Sequence, residues 1–188
     1  DLAEVYQALE AIGTFDGYPT ILLLCTSQYP TPSVDVNLLK LKTLSSAFPD
    51  LVLGFSDHTQ GMLASSLAVG FGAVFFEKHF TLDNNLAGPD HWFSESPKSL
   101  KMWVDSIHQS YQMMGNAMVR PTKSELINKK EFQRVIVANS VINQGDLFTT
   151  SNLTARRVGG SGLPPSLTKK IIGLKSNRMY EKGEIITL

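Results

Sequence analysis

Along residues 1–12 the apolar positions Leu2, Val5, Leu9 and Ile12 fall on one face at helical spacing. The pattern then changes. TILLLC (20–25) is a continuous apolar run of strand length, the signature of a strand buried on both faces. Helical spacing returns in TPSVDVNLLKLKTLSSAF (31–48) through Val34, Leu38, Leu41 and Leu44. LVLGF (51–55) reads as a strand, GMLASSLAVGFG (61–72) as a small-residue helix closed by Gly70, and AVFF (73–76) as another buried strand. In SPKSLKMWVDSIHQSYQMMG (96–115), Ser96 is placed to cap a helix and Pro97 to occupy its first position. Leu100, Trp103, Val104, Ile107, Tyr111 and Met114 form the expected core face of that helix.

Alternation of helix and strand argues an α/β fold with a parallel sheet under covering helices, doubly wound or barrel-like. Three strands alone would leave exposed edges. Residues 1–119 therefore read as the closing portion of a larger α/β unit. Over 116–130 (NAMVRPTKSELINKK) the apolar period is lost and charge rises, so a linker is placed at 120–130. From 131 to 188 the texture is β-rich, with turns at Gln144-Gly145-Asp146 and Lys182-Gly183-Glu184 and one short helix in PPSLTKKIIG.

Composition changes this picture little, charge somewhat more. The 188 residues are 43% hydrophobic and 18% charged, ordinary for a globular protein. No apolar stretch approaches the roughly 18 to 20 residues of a membrane span. One cysteine, Cys25, forms no internal disulfide, so a reducing cytoplasm is the expected compartment. The net charge of zero conceals five Lys/Arg against twelve Asp/Glu in residues 1–119, and the reverse in 120–188. Because the positive charges are scattered rather than clustered on one helix, nucleic acid is not the expected partner. A basic small domain meeting an acidic large one, or an anionic ligand held between them, fits better.

Chemistry concentrates after the strands. His58 follows LVLGF in GFSDHT and His79 follows AVFF in FFEKHF, 21 positions later. In parallel α/β proteins active groups sit at the carboxyl ends of strands, so both imidazoles belong to one edge. Two imidazoles there suit a divalent metal with open ligand places, or else each merely caps its strand. Asp57 and Glu77 are placed to orient the rings or act on a ligand. CTSQYPTP (25–32) brings Thr26, Ser27, Gln28 and Tyr29 to the same edge, and GPDHWFSES (88–96) brings Asp90 and His91. His108 is expected on the solvated side of its helix, and Cys25 lacks a neighbouring base to act as nucleophile. VGGSG (158–162) is glycine-rich but lacks the strand-to-helix context of a phosphate loop.

LLLCTSQYPTP, GFSDHT, FFEKHFTLD and GPDH, in this order and spacing, resemble the N-acetylneuraminate (sialic acid) synthase family, which includes legionaminic and pseudaminic acid synthases and a spore-coat polysaccharide relative. VINQGD, NLTARRVGGSGLPP and EKGEIIT look like the antifreeze-like (SAF, β-clip) domain that ends those enzymes. The resemblance implies the C-terminal portion of a (β/α)8 TIM barrel, about strands 6–8, followed by that small domain. It implies a homodimer in which each small domain covers its partner's site. The implied reaction joins phosphoenolpyruvate to an N-acetylated hexosamine such as N-acetylmannosamine, releasing phosphate. A divalent ion, Mn2+ or Mg2+, would be held by His58 and His79. Ser56 and Ser27 would face phosphoenolpyruvate, Tyr29 and Asp90 the sugar, and Glu77 the metal and reacting carbon; Asp57, from its place beside His58 alone, is expected as a second catalytic residue. Arg157 best matches the arginine that the partner's small domain lends to the sugar.

Two features depart from the family pattern. RRVGGSG lacks the family's proline after the arginine and is one residue longer, which leaves Arg156 and Arg157 both open. Ser27 stands where sialic-acid-specific members often have Asn. Family members also carry five further strand–helix units upstream, so the chain reads as a fragment not expected to be active alone. The other readings are a non-catalytic sugar-binding unit and a different metal-dependent barrel enzyme, an aldolase or hydrolase, sharing the His pair by convergence.

Overall fold

The structure is a computed structural model that describes all 188 residues, apart from the side chain of Lys130. The chain folds as two compact units, Asp1–Asn116 and Ala117–Leu188.

In the first unit, helix α1 (Leu2–Ala11) starts at a capping box between Asp1 and Glu4. Strand β1 (Ile21–Cys25) follows, then α2 (Ser33–Val36), α3 (Lys40–Ala47), β2 (Val52–Asp57), α4 (Leu63–Gly70), β3 (Phe75–Lys78) and α5 (Pro97–Met114). The strands form one parallel sheet in the order β1-β2-β3. Its register aligns Cys25 with Ser56 and Ser56 with Glu77. Alternation sends Leu24, Leu53 and Phe55 to one face, where they pack with Leu9, Leu41, Leu44 and Ala68 from the helices. Gly54 lies on the other face, between Leu23 and Phe75. A Cβ there would stand 2.6 Å from the carbonyl oxygen of Phe75, so only glycine fits.

Several sequence expectations need correction. β1 and β3 are not buried on both faces: Ile21 is 43% exposed and Phe75 46%, because helices pack on one side of the sheet only. β3 begins two residues later than the apolar run AVFF, since its ladder to β2 starts at the Gly54–Phe75 pair. The helix expected through Val34 to Leu44 is two helices. Asn37 breaks it with φ +49°, a left-handed conformation that Asn tolerates better than most residues, and Val34 is exposed. α5 has the expected cap, in which Ser96 accepts from the N–H of Ser99, and Pro97 in its first turn. Of its apolar stripe, however, only Trp103 is fully buried, while Tyr111 and Met114 are exposed.

In the second unit, helix α6 (Lys123–Phe132) occupies most of the segment read as a linker, started by a capping box between Thr122 and Glu125. Strands β4 (Val135–Ala138) and β5 (Leu153–Arg156) pair antiparallel, and a short helix α7 (Thr168–Ile171) follows. Isolated bridges join Val137 to Ile185, Ile142 to Tyr180 and Leu147 to Lys175. Ile136, Ile142, Phe148, Leu153, Ile171, Tyr180 and Ile186 make its core. The two expected turns hold Gly145 and Gly183 at φ near +90°.

Candidate active site

Residues two apart on a strand share a face, so Ser56 and His58 at the end of β2 point the same way, as do Glu77 and His79 at the end of β3. The register then sets the pairs side by side. The ring centroids of His58 and His79 are 5.1 Å apart, with planes 79° from parallel. Below them, Ser56 donates to Glu77 Oε1 at 2.6 Å, and Ser56 Oγ lies 3.4 Å from His58 Nε2.

The tautomer of His58 follows from its neighbour. Nδ1 lies 2.8 Å from the carbonyl oxygen of Thr26, which can only accept, so Nδ1 carries the proton and Nε2 keeps its lone pair. Cys25 Sγ lies farther off, at 3.9 Å from the same nitrogen. An imidazole tied through one nitrogen to a carbonyl has its ring orientation fixed, as a metal ligand requires, with Nε2 here beside Ser56 Oγ. His58 is itself buried, at 6% exposure.

Tyr29 packs against both imidazoles. Its ring lies 4.3 Å from that of His58 and 5.5 Å from that of His79. Phe93, buried, packs 5.0 Å from the His79 ring and 5.7 Å from Tyr29. Both come from loops after β1 and β3. The second loop folds back through a parallel bridge between Phe80 and Glu95, so Glu95 N–H donates to the carbonyl of His79 at 2.9 Å. Within it, exposed Asp83 accepts from the N–H and side-chain amide of Asn85, which holds its carboxyl below the usual range. Asp90 approaches His79 Nδ1 only to 3.9 Å, beyond hydrogen-bond reach.

Two adjacent imidazoles, one of them oriented through Nδ1, could supply two of the ligands of a divalent ion. Among the described residues no group of three His, Cys, Asp or Glu side chains is arranged to hold a metal. Water or substrate oxygens would have to supply the remaining places, as in sites that keep open positions.

The structure thus gathers Ser56, His58, Glu77, His79 and Tyr29, with Asp90 at the margin. Ser27 is exposed on the same loop as Tyr29. Asp57 does not join them, and its expected catalytic role is corrected. As the neighbour of both Ser56 and His58 it faces the helix layer, 1% exposed. Its Oδ1 accepts from Thr59 N–H and Oγ1 at 2.8 Å each. Its Oδ2 accepts from Ser65 at 2.6 Å and Trp103 Nε1 at 3.3 Å, with Lys78 Nζ at 3.2 Å. Lys78, with its side chain 3% exposed, also donates to the Thr59 carbonyl at 2.6 Å and lies 3.7 Å from Glu95. Sequence reasoning missed Lys78, Phe93 and the Thr26 carbonyl. Alternation could have revealed Lys78, which flanks Glu77 and His79 and so must face Asp57's side. Arg157 belongs to the second unit, exposed beside Arg134 and Arg156.

The fold and site define an α/β protein whose chemical groups converge beyond the carboxyl ends of parallel strands. More particularly, residues 1–119 match the NeuB family model, and the chain belongs to that family. It is 39% identical over 165 residues to the N,N'-diacetyllegionaminic acid synthase of Campylobacter jejuni, a match covering 88% of this chain and 49% of that protein. It is 37% identical over 187 residues to the N,N'-diacetyllegionaminic acid synthase of Legionella pneumophila, covering 97% and 52%. The crystal structure of the spore coat polysaccharide biosynthesis protein of Bacillus subtilis superposes with a TM-score of 0.58 at 28% identity, covering 100% of this chain and 57% of that one. The chain spans about half the length of the curated relatives it matches. Among the described residues no helix is long and apolar enough to cross a membrane.

Proposed function

We propose that this chain forms part of a synthase that condenses phosphoenolpyruvate with an N-acetylated hexosamine to give a nonulosonic acid and phosphate. In this reading the first unit belongs to a (β/α)8 barrel and the second is an antifreeze-like (SAF) domain, paired in a homodimer in which Arg157 reaches the partner's sugar site. The single observation that carries the reading is the His58–His79 pair, 5.1 Å between ring centroids, with His58 oriented by the Thr26 carbonyl. The names of the two Campylobacter and Legionella relatives favour N,N'-diacetyllegionaminic acid as the product class.

His58 and His79 would hold Mn2+ or Mg2+, which when bound acts as a Lewis acid on the sugar's aldehyde. The chain's own residues supply the rest. Glu77 accepts the Ser56 proton and so fixes that hydroxyl beneath the pair, where Ser56, with Ser27 on the loop above, would contact phosphoenolpyruvate. The enol carbon bonds to the aldehyde carbon, water adds at the carbon bearing phosphate, and C–O cleavage releases phosphate. The Glu77 carboxylate stabilises the positive charge that develops between those steps and can take up a proton. Tyr29 and Asp90 would border the sugar, and the rings of Tyr29 and Phe93 pack against the imidazoles.

The test is phosphate release by the intact protein, measured with phosphoenolpyruvate, Mn2+ and a panel of N-acetylated and diacetamido hexosamines. Release is expected only with all three present, and His58→Ala or His79→Ala should abolish it. Full activity in either variant overturns the ligand assignment. Sugar binding without turnover would support a non-catalytic unit instead, and turnover without phosphoenolpyruvate a different barrel enzyme.

A further inference from the structure

His91, which the sequence sets beside Asp90 in GPDH, does not join the histidine pair; its ring turns instead into the loop that follows β3. Residues 82–90 of that loop are all exposed, Leu82 at 77% and Leu86 at 49%, so apolar burial does not hold their path. Hydrogen bonds hold it instead. Thr81, at 3% exposure, stands two residues beyond His79, and its Oγ1 lies 2.8 Å from His91 Nδ1. The same hydroxyl donates to the Asp83 carbonyl at 2.9 Å and accepts from the Asp83 N–H at 3.2 Å. A hydroxyl has one proton and two lone pairs, so only a lone pair is left for the imidazole, and His91 Nδ1 is the donor.

Two more features fit the ring into place. Gly88 has φ +146°, and a Cβ on it would stand 2.9 Å from His91 Cδ2, so the chain passes the ring where a side chain would be both strained and crowded. Asn84 uses both amide protons, donating to the carbonyls of His91 and Ser94 at 2.8 Å each. Ser94 Oγ in turn donates to the Asp90 carbonyl at 2.5 Å. These bonds bracket the two residues of the loop that approach His79. Asp90, one position before His91, brings Oδ2 to 3.9 Å from His79 Nδ1. Phe93, between the two carbonyls held by Asn84, packs 5.0 Å from the His79 ring. The strand ladder does not do this work, because the bridge of Phe80 to Glu95 fixes only the two ends of the loop.

We propose that His91, bonded to Thr81, is a positioning residue that holds Asp90 and Phe93 against His79, with Asn84 as the second tie. His91 acts only through these neighbours: it sets where the sugar-facing groups of the loop stand. The proposal rests on the synthase reading for the identity of the ligand, an N-acetylated hexosamine, whereas the loop geometry it explains exists without metal or substrate. A residue that places only sugar contacts changes sugar affinity and leaves the chemical step and the affinity for phosphoenolpyruvate nearly alone.

The experiment has two arms. In the full chain without metal or substrate, ring-to-ring NOEs report the Phe93–His79 and Phe93–Tyr29 contacts, and amide exchange at Thr81 and Glu95 reports the strand ladder. His91→Ala is expected to weaken both NOEs while the two amides keep their protection. His91→Asn, whose side-chain amide can donate from near the Nδ1 position, should restore them. Asn84→Ser removes two donors and leaves the imidazole in place, so it serves if His91→Ala folds poorly, and it should weaken the same NOEs. In the intact protein, His91→Ala should raise KM for the hexosamine about tenfold, with kcat and the KM for phosphoenolpyruvate within about threefold. His91→Asn should recover most of that loss. Unchanged NOEs with a lowered unfolding midpoint would overturn the proposal in favour of a merely structural tie. A fall in kcat at constant hexosamine KM would overturn it by placing His91 in the chemistry, and an unchanged hexosamine KM despite lost NOEs would overturn it as well. If the unsubstituted protein turns over none of the hexosamines, the synthase reading fails, and the NOE arm alone decides the role of His91.

Discussion

Replacing Lys78 by methionine tests whether the buried network behind the histidine pair holds the site together. Lys78 Nζ lies 3.2 Å from Asp57 Oδ2, and the two side chains are 3% and 0% exposed. Removing one partner of a buried pair costs about 3–5 kcal/mol, because the other charge stays uncompensated. Here Asp57 keeps four neutral donors, from Thr59 (two), Ser65 and Trp103, which argues for the lower end. The Thr59 carbonyl loses its donor as well, so Lys78→Met is expected to destabilise the first unit by about 3 kcal/mol. In a chain of this size each 1 kcal/mol lowers Tm by about 2–4 °C. The assay is urea unfolding followed by Trp103 fluorescence, with hydrogen exchange at the amides of β2 and β3. Asp57→Asn and the double variant complete a cycle, in which a coupling of about 1–3 kcal/mol is expected. A loss below about 1 kcal/mol for Lys78→Met, or additive losses in the cycle, would refute the network. So would a hundredfold fall in turnover for Asp57→Asn with unfolding unchanged, since Asp57 would then act in the chemistry.

Three further outcomes follow from single residues. Gly54→Ala puts a methyl group 2.6 Å from the Phe75 carbonyl, so a loss of about 1–3 kcal/mol and faster exchange along β3 are expected in the same assays. Thr122→Ala removes the oxygen that caps α6 and should cost about 0.5–2 kcal/mol, read as lost helicity by circular dichroism. Glu184 accepts from the Glu181 N–H and from Arg178, which holds its carboxyl below the ordinary value of 4.5, the backbone donor contributing most. Its stabilisation is present above that ordinary value and lost as pH falls through the depressed folded value. A carboxyl titration by NMR should show a lowered midpoint that mostly survives Arg178→Gln, and a midpoint at the ordinary value would contradict the bonding.

The site was legible because its signal is local. An apolar run that stops at a histidine, twice, places both imidazoles at one sheet edge without any tertiary information. Asp57 was misjudged because adjacency in sequence was weighed above alternation. A residue between Ser56 and His58 on a strand must face the opposite side, where Ser65, Trp103 and Lys78 surround it. Those partners lie 8, 46 and 21 positions away, and nothing in the local pattern names them. Apolar periodicity also states which face of a helix can be buried, not what will cover it. Trp103 finds the network and Phe76, whereas Tyr111 and Met114 on the same stripe remain exposed. In the second unit the turns were readable from glycine, but the apolar segments form one short ladder and isolated bridges, whose pairing depends on contacts between distant segments.

The histidine pair and the buried lysine are one construction. The centroid separation of 5.1 Å is close to the spacing of about 4.8 Å between adjacent strands, as expected for rings carried at matching positions of neighbouring strands. That match exists only in the register that sets Ser56 beside Glu77. A slip of β3 by one residue would turn Glu77 and His79 into the helix layer and bring Lys78 out beside His58. Lys78 penalises that slip directly, because in the correct register its ammonium meets Asp57 and the Thr59 carbonyl, and in the slipped one the buried Asp57 carboxylate loses its counter-charge and the carbonyl its donor. The charge that faces away from the reaction therefore fixes where the reacting groups stand.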